Sequence, residues 1–122
     1  MKDFRKLKVW ERAHGLVLTI YRATESFPQS ERFGLTSQIR RAAASIPTNI
    51  AEGCGRGSDL DTAHYFQIAL GSASELSYEL LLACDLGYLT EDHYTTLSGE
   101  LDEISKMLMA LMHRFRTGTK ES

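Results

Sequence analysis

Two acid-x-x-His pairs, Glu11 with His14 and Asp61 with His64, have the spacing by which helical bundles hold a di-metal centre. That chemistry needs the side chains turned inward. At about 100° per residue, Asp61 and His64 fall opposite Phe66 and Ala73, while Glu11 lies outside the arc of Trp10. His14 only reaches the margin of that arc. The helical wheel thus turns the metal site away, and no cofactor is expected. A second group, Asn49, Glu52 and Arg56, gathers around a proline and the loop "GCGRGS". Glycines ahead of a helix N-terminus attract anions, but this loop lacks the Lys-Ser/Thr of a P-loop and no strand precedes it. The plainer role for the three side chains is to cap carbonyls loosened by Pro47 and to pair with a neighbouring helix or subunit. The remaining Ser, His and Asp residues form no nucleophile motif. Neither a metal enzyme nor a hydrolase is expected.

The third chemistry is electrostatic. Lys2, Arg5, Lys6, Lys8 and Arg12, with Arg114, Arg116 and Lys120, are the candidate contacts to RNA or DNA. Solvation is the common role of such a charge run, and no stacking platform or nucleic-acid motif accompanies this one. The formal charge of −2 hides a strong asymmetry. Residues 1–56 hold ten Lys and Arg against five Asp and Glu, whereas residues 57–105 hold ten acids and no base. Such a division serves an internal acid–base partnership or a basic surface kept for an anionic partner.

The elements that must position these groups are bounded by the length. The 122 residues form a single domain, 1–122, able to bury roughly two thirds of its unfolded surface without metals or disulfides. No apolar run approaches the roughly 20 residues of a membrane span, and the basic start lacks the apolar core of a secretory signal. A cytoplasmic location is expected, with Cys54 and Cys84 as thiols, and neither a membrane nor a small-molecule substrate is evident.

Apolar residues recur at helical spacing in four stretches. Around 8–25 they are Val9, Trp10, Ala13, Leu16, Val17, Ile20 and Tyr21; around 31–53 they are Leu35, Ile39, Ala42, Ala43, Ile46 and Ile50. From 59 to 86, Phe66, Ala69, Leu70, Ala73, Leu76 and Leu80 form a stripe, opened by a Ser58–Asp61 capping pattern and closed by Gly87. From 91 to 116 the stripe is Tyr94, Leu97, Leu101, Ile104, Leu108, Leu111 and Phe115, with Thr90 as N-cap. Short connections and helices of about 27–42 Å predict an all-α, antiparallel up-down-up-down four-helix bundle.

Pro47 falls inside the second stretch. It cannot donate to the carbonyl of Ala43, and an interior proline costs about 3 kcal/mol in an isolated helix. Yet Ile46 and Ile50 each stay about 20° from the direction of Ile39, so the stripe continues across it. An unbroken stripe predicts a helix kinked at Pro47, with Gly53 closing it as the C′ residue.

The run "RFGLTSQIRRAAASIPTNIAEGCGR" resembles the signature of the four-helix-bundle proteins named for intervening sequences in 23S ribosomal RNA genes. "FRKLKVWERAHGLVLTIYRATESFP" is similar to that family's first helix, and "FQIALGSASELSYELLLACDLGYL" to its third. Pro47, Asn49, Glu52, Gly53 and Arg56 carry the match. The resemblance implies a ring-like homopentamer without enzymatic activity. A relative in the same fold is the accessory variability determinant of diversity-generating retroelements, a basic barrel that binds nucleic acid and a reverse transcriptase; this chain departs from it in being mildly acidic. The third helix carries a further pattern beside its core stripe, in which Gln67, Gly71, Ser74, Tyr78, Leu81 and Leu82 share another arc. A wide core face is one explanation and a subunit interface the preferred one, with Arg40 and Arg41 of a neighbouring copy meeting the acidic helix. The expected partners are the chain itself and RNA or DNA. The alternative is a protein-binding scaffold in which the basic groups serve only subunit contacts and solubility.

Overall fold

The computed structural model describes residues 3–118. Four helices carry the fold: α1 Lys8–Ala23, α2 Leu35–Cys54, α3 Asp59–Asp85 and α4 Glu91–Thr117. Among the described residues there is no strand. Short 3-10 turns flank α1 and precede α2. Val9, Ala13, Leu16 and Ile20 of α1 meet Ile39, Ile46 and Ile50 of α2, Phe66, Leu76 and Leu80 of α3, and Leu101, Ile104 and Leu108 of α4 in one buried cluster. Each fully buried large side chain there contributes about 1.5–3 kcal/mol relative to exposure.

The contacts pair the helices in opposite sequence order. Ser45 meets Ser72 while Gly53 meets Thr62 and Phe66. Arg40 reaches back to Thr24, whereas Pro47 and Ala51 face Trp10. Phe66 packs edge-on against Phe115 across α3 and α4. The α2–α3 pairing is the most extensive and the α1–α4 pairing is sparse. Ala42, Ala43, Ala69 and Ala73, all buried, keep side chains small on α2 and α3.

Helix ends follow local chemistry. Ser58 accepts from the Asp61 amide at 3.2 Å, and Thr90 accepts from the His93 amide at 3.1 Å. At the end of α3, Gly87 takes φ +82°. Its amide donates to the Cys84 carbonyl at 3.0 Å and the Tyr88 amide to Ala83 at 2.9 Å, the paired bonds of a Schellman turn.

α2 remains helical through Pro47, which is itself buried. Side chains reinforce the carbonyls next to the one the proline leaves. The Thr48 hydroxyl donates to Ala44 at 2.8 Å and the Asn49 amide to Ser45 at 2.8 Å.

Three expectations need correction. α2 starts at Leu35, not near 31, because the Glu31 side chain accepts from the Leu35 amide at 3.1 Å and holds the preceding residues in a 3-10 turn. Gly53 does not close the helix: α2 runs to Cys54, and Gly53 lies inside it, where a Cβ would sit 3.0 Å from Tyr65 Cβ and 3.2 Å from the Thr62 carbonyl. It is glycine because α3 comes too close for anything larger. Tyr21, expected on the core face, is exposed and instead supports Arg40, whose guanidinium lies 4.6 Å from its ring centroid. Cys54 is buried, and neither cysteine is in a disulfide. Among the described residues no helix is long and apolar enough to cross a membrane.

Candidate interaction surfaces

The proline segment, the outer face of α3 and the basic end of the bundle are the surfaces to which the sequence assigned chemistry. In the first, Asn49 donates to both the carbonyl and the hydroxyl of Ser45, and that hydroxyl meets Ser72 of α3 at 2.7 Å. The network ties the repaired stretch of α2 to α3. One turn on, Arg56 donates to Glu52 at 2.7 Å and to the Tyr65 hydroxyl at 2.6 Å, and its guanidinium covers the Tyr65 ring. Asn49 therefore holds an α2 carbonyl, and Arg56 links the end of α2 to Tyr65 of α3. Glu11, His14, Asp61 and His64 all stand exposed, and the described residues contain no group of three or more His, Cys, Asp or Glu placed for a metal.

On α3, Gln67, Gly71, Ser74, Tyr78 and Leu81 are exposed and Leu82 is half-buried. Tyr78 is 62% exposed and Leu81 42%. With Ile68 also exposed, apolar groups stand on the outer as well as the inner side of this helix. Of the paired candidates from α2, Arg40 is engaged within the chain, donating to Thr24 Oγ1 at 2.8 Å and to the Tyr21 carbonyl at 3.1 Å. Arg41 is exposed.

Arg41 lies close enough to act on Glu79, a residue the sequence pattern passed over. Glu79 is only 5% exposed, and its Oε1 has no hydrogen-bond partner. Burial pushes its carboxyl up to about 7; the charge of Glu75 and a hydrogen bond with it act in the same direction, and Arg41 opposes them. The signal was available, since Glu79 stands three residues after Leu76 and four before Ala83 in the core stripe.

The basic candidates are divided. Arg12 forms a two-pronged contact with Glu100, at 2.9 and 2.7 Å, and also reaches Met107 Sδ. The hydrogen bond with Glu100 raises the Arg12 pKa. These contacts set the first turns of α1 beside the middle of α4, while Arg5, Lys6 and Lys8 at the start of the chain stand exposed. Arg116 donates to Gln67 of α3. Lys2 and Lys120 lie outside the described residues.

Two further features escaped the sequence pattern. An open cleft of about 580 Å³ lies between the start of α1 and the second half of α2, lined by Phe4, Trp10, Pro47 and Ala51 with Glu52 at its side. Phe33, in the turn before α2, is 89% exposed.

Against known families, the profile described as 23S rRNA-intervening sequence protein matches residues 5–110. The chain belongs to this family. The matched stretch of this 23S rRNA-intervening sequence protein takes in Pro47, Asn49, Glu52, Gly53, Arg56 and the whole outer face of α3, and ends in α4 before Arg114 and Arg116. A crystal structure of a protein of unknown function from the S23 ribosomal protein family of Bacteroides thetaiotaomicron is similar to it at 27% identity. That alignment covers 85% of this chain and 97% of the other, with a TM-score of 0.77. No curated protein matches the chain.

Proposed function

We propose that this member of the 23S rRNA-intervening sequence family is a non-catalytic interaction protein that assembles with copies of itself, as a homopentamer, and carries RNA or DNA on its basic end. The outer face of α3 carries the proposal: Tyr78, Leu81 and Ile68 are exposed on it, and Gly71 leaves room for a close-packed neighbour. Arg5, Lys6 and Lys8 at one end supply phosphate contacts that repetition in an assembly multiplies. The exposed, dispersed acid–His pairs support a role without catalysis.

The pairing of Arg12 with Glu100 favours a second reading, a protein scaffold with no nucleic-acid affinity. Titrating fluorescent RNA and DNA oligomers at several salt concentrations separates the two. Phosphate binding loses affinity steeply with salt, and Arg5→Glu with Lys6→Glu flattens that slope. Absence of binding even at low salt leaves the scaffold. For assembly, Gly71→Glu lowers the particle mass measured by light scattering, and an unchanged mass removes this face of α3 from the contact.

A further inference from the structure

Phe33 is the most exposed large hydrophobic side chain among the described residues, at 89%. The turn that presents it is held firmly. One oxygen of Glu31 accepts from the Leu35 amide and the other from the Tyr88 hydroxyl, each at 3.1 Å. A turn held in place before docking loses little further backbone freedom when its ring inserts. The Arg32 guanidinium lies over it, 5.3 Å from the ring centroid, so the projecting unit is an aromatic ring with a cation beside it.

At the other end of the α1–α2 pair lies the cleft of about 580 Å³. Its walls are mainly apolar, with Phe4, Trp10 and Val17 on one side and Ala44, Pro47 and Ala51 on the other, and His14 and Thr48 among them. Trp10 is already braced, with Phe4 edge-on and His14 stacked flat, both at 5.0 Å between ring centroids. Glu52 supplies the carboxylate: one oxygen accepts from Arg56 at 2.7 Å, which leaves the other for an incoming cation. An aromatic-plus-cation knob therefore has, on the same chain, an aromatic cleft with an anion at its side.

The two cannot meet within one molecule. Pro47 is more than three helical turns beyond Phe33, about 18 Å along α2 from Leu35. We propose that Phe33 of one copy inserts into the α1–α2 cleft of another copy, with Arg32 meeting Glu52. The contact is heterologous, since knob and cleft are different surfaces, and each copy keeps one of each free for the next. It rests on self-association under the proposed function but uses surfaces other than the outer face of α3.

Trp10 is the only tryptophan in the chain and lines the cleft, so its emission reports occupancy directly. In the parent protein, dilution should shift the emission to the red as the mass by light scattering falls. Phe33→Glu, at an exposed side chain, should leave circular dichroism unchanged and give the red-shifted emission and a reduced mass at every concentration. Arg32→Glu should weaken assembly, and Glu52→Arg in the same chain should restore it. A blocked peptide of sequence SERFGL should quench or blue-shift Trp10 of the Phe33→Glu protein. If the parent assembles and Phe33→Glu keeps both its mass and its emission, the docking is wrong while self-association stands. If the parent is a monomer throughout, self-association itself fails. If the peptide binds but the mass is insensitive to Phe33, the cleft serves a foreign segment, and the second copy is overturned as its occupant.

Discussion

Replacing Gly53 by alanine tests the close approach of α2 to α3. In most helix interiors the change is favourable, by about 0.8–1.0 kcal/mol, because alanine loses less backbone freedom. Here the added methyl would lie 3.0 Å from Tyr65 Cβ, 3.2 Å from the Thr62 carbonyl oxygen and 3.3 Å from Phe66 Cδ1. Two of those atoms belong to the backbone or its first carbon, and the third to a ring that is fully buried, so none can swing aside. The Thr62 hydroxyl also donates to the Gly53 carbonyl at 2.9 Å, a bond that separation of α2 from α3 would stretch. Overpacking of this kind costs about 1–3 kcal/mol, which cancels or outweighs the propensity gain and leaves a net loss of about 0–2 kcal/mol. At about 4 °C per kcal/mol for a chain of this size, Tm falls by up to about 8 °C. Gly99→Ala is the control: Gly99 is exposed within α4 with no atom within 4 Å of an added Cβ, and the change should stabilise. Urea and thermal unfolding followed by circular dichroism, at one fixed protein concentration, give both numbers. Gly53→Ala matching or exceeding the gain of Gly99→Ala would refute the tight α2–α3 contact.

The remaining predictions concern Glu79, Asn49 and Phe66. The folded state raises the Glu79 carboxyl from 4.5 to about 7, so it binds that proton more tightly than the unfolded chain does. The associated stability is present below about pH 4.5 and is lost as pH rises through about 7, by on the order of 1–3 kcal/mol. Glu79→Gln should flatten that slope and stabilise the protein at about pH 8; equal slopes in urea melts across pH count against the assignment. Asn49→Ala removes the donor to Ser45 and should cost about 1–2 kcal/mol in the same melts, with Asn49→Asp no substitute, since an ionised carboxylate cannot donate. Phe66→Ala, at a fully buried side chain set edge-on against Phe115, should lose about 3–5 kcal/mol. A loss under about 1 kcal/mol would mean the core closes over the gap.

Much of the fold was legible because apolar periodicity is local. Every residue of the α2 stripe, Leu35 through Ile50, is buried, and the caps at Ser58, Thr90 and Gly87 fall where their residue types put them. Pro47 was legible too, since an apolar stripe that keeps its phase requires the helix to continue. What escaped depends on neighbours distant in sequence. A glycine near a helix end can terminate it or admit another helix, and only Tyr65 and Phe66 decide which for Gly53. Arg12 reads as a free cation until Glu100, eighty-eight residues away, is brought beside it. The candidate surfaces were half legible: the outer α3 arc follows from the wheel, whereas the Phe33 turn and the α1–α2 cleft arise from how Glu31 pins one loop and how Phe4 and α1 meet α2.

The junction from Leu86 to Thr90 has a consequence in time as well as in shape. It ends one rod and begins the next using bonds that reach no further than a few residues, so forming it sacrifices little chain freedom. Hairpins closed so cheaply favour rapid assembly. The link between α2 and α3 is as short, so the run α2–α3–α4 is the natural seed of the molecule, and α1, sparsely joined to α4, is the piece suited to arrive last.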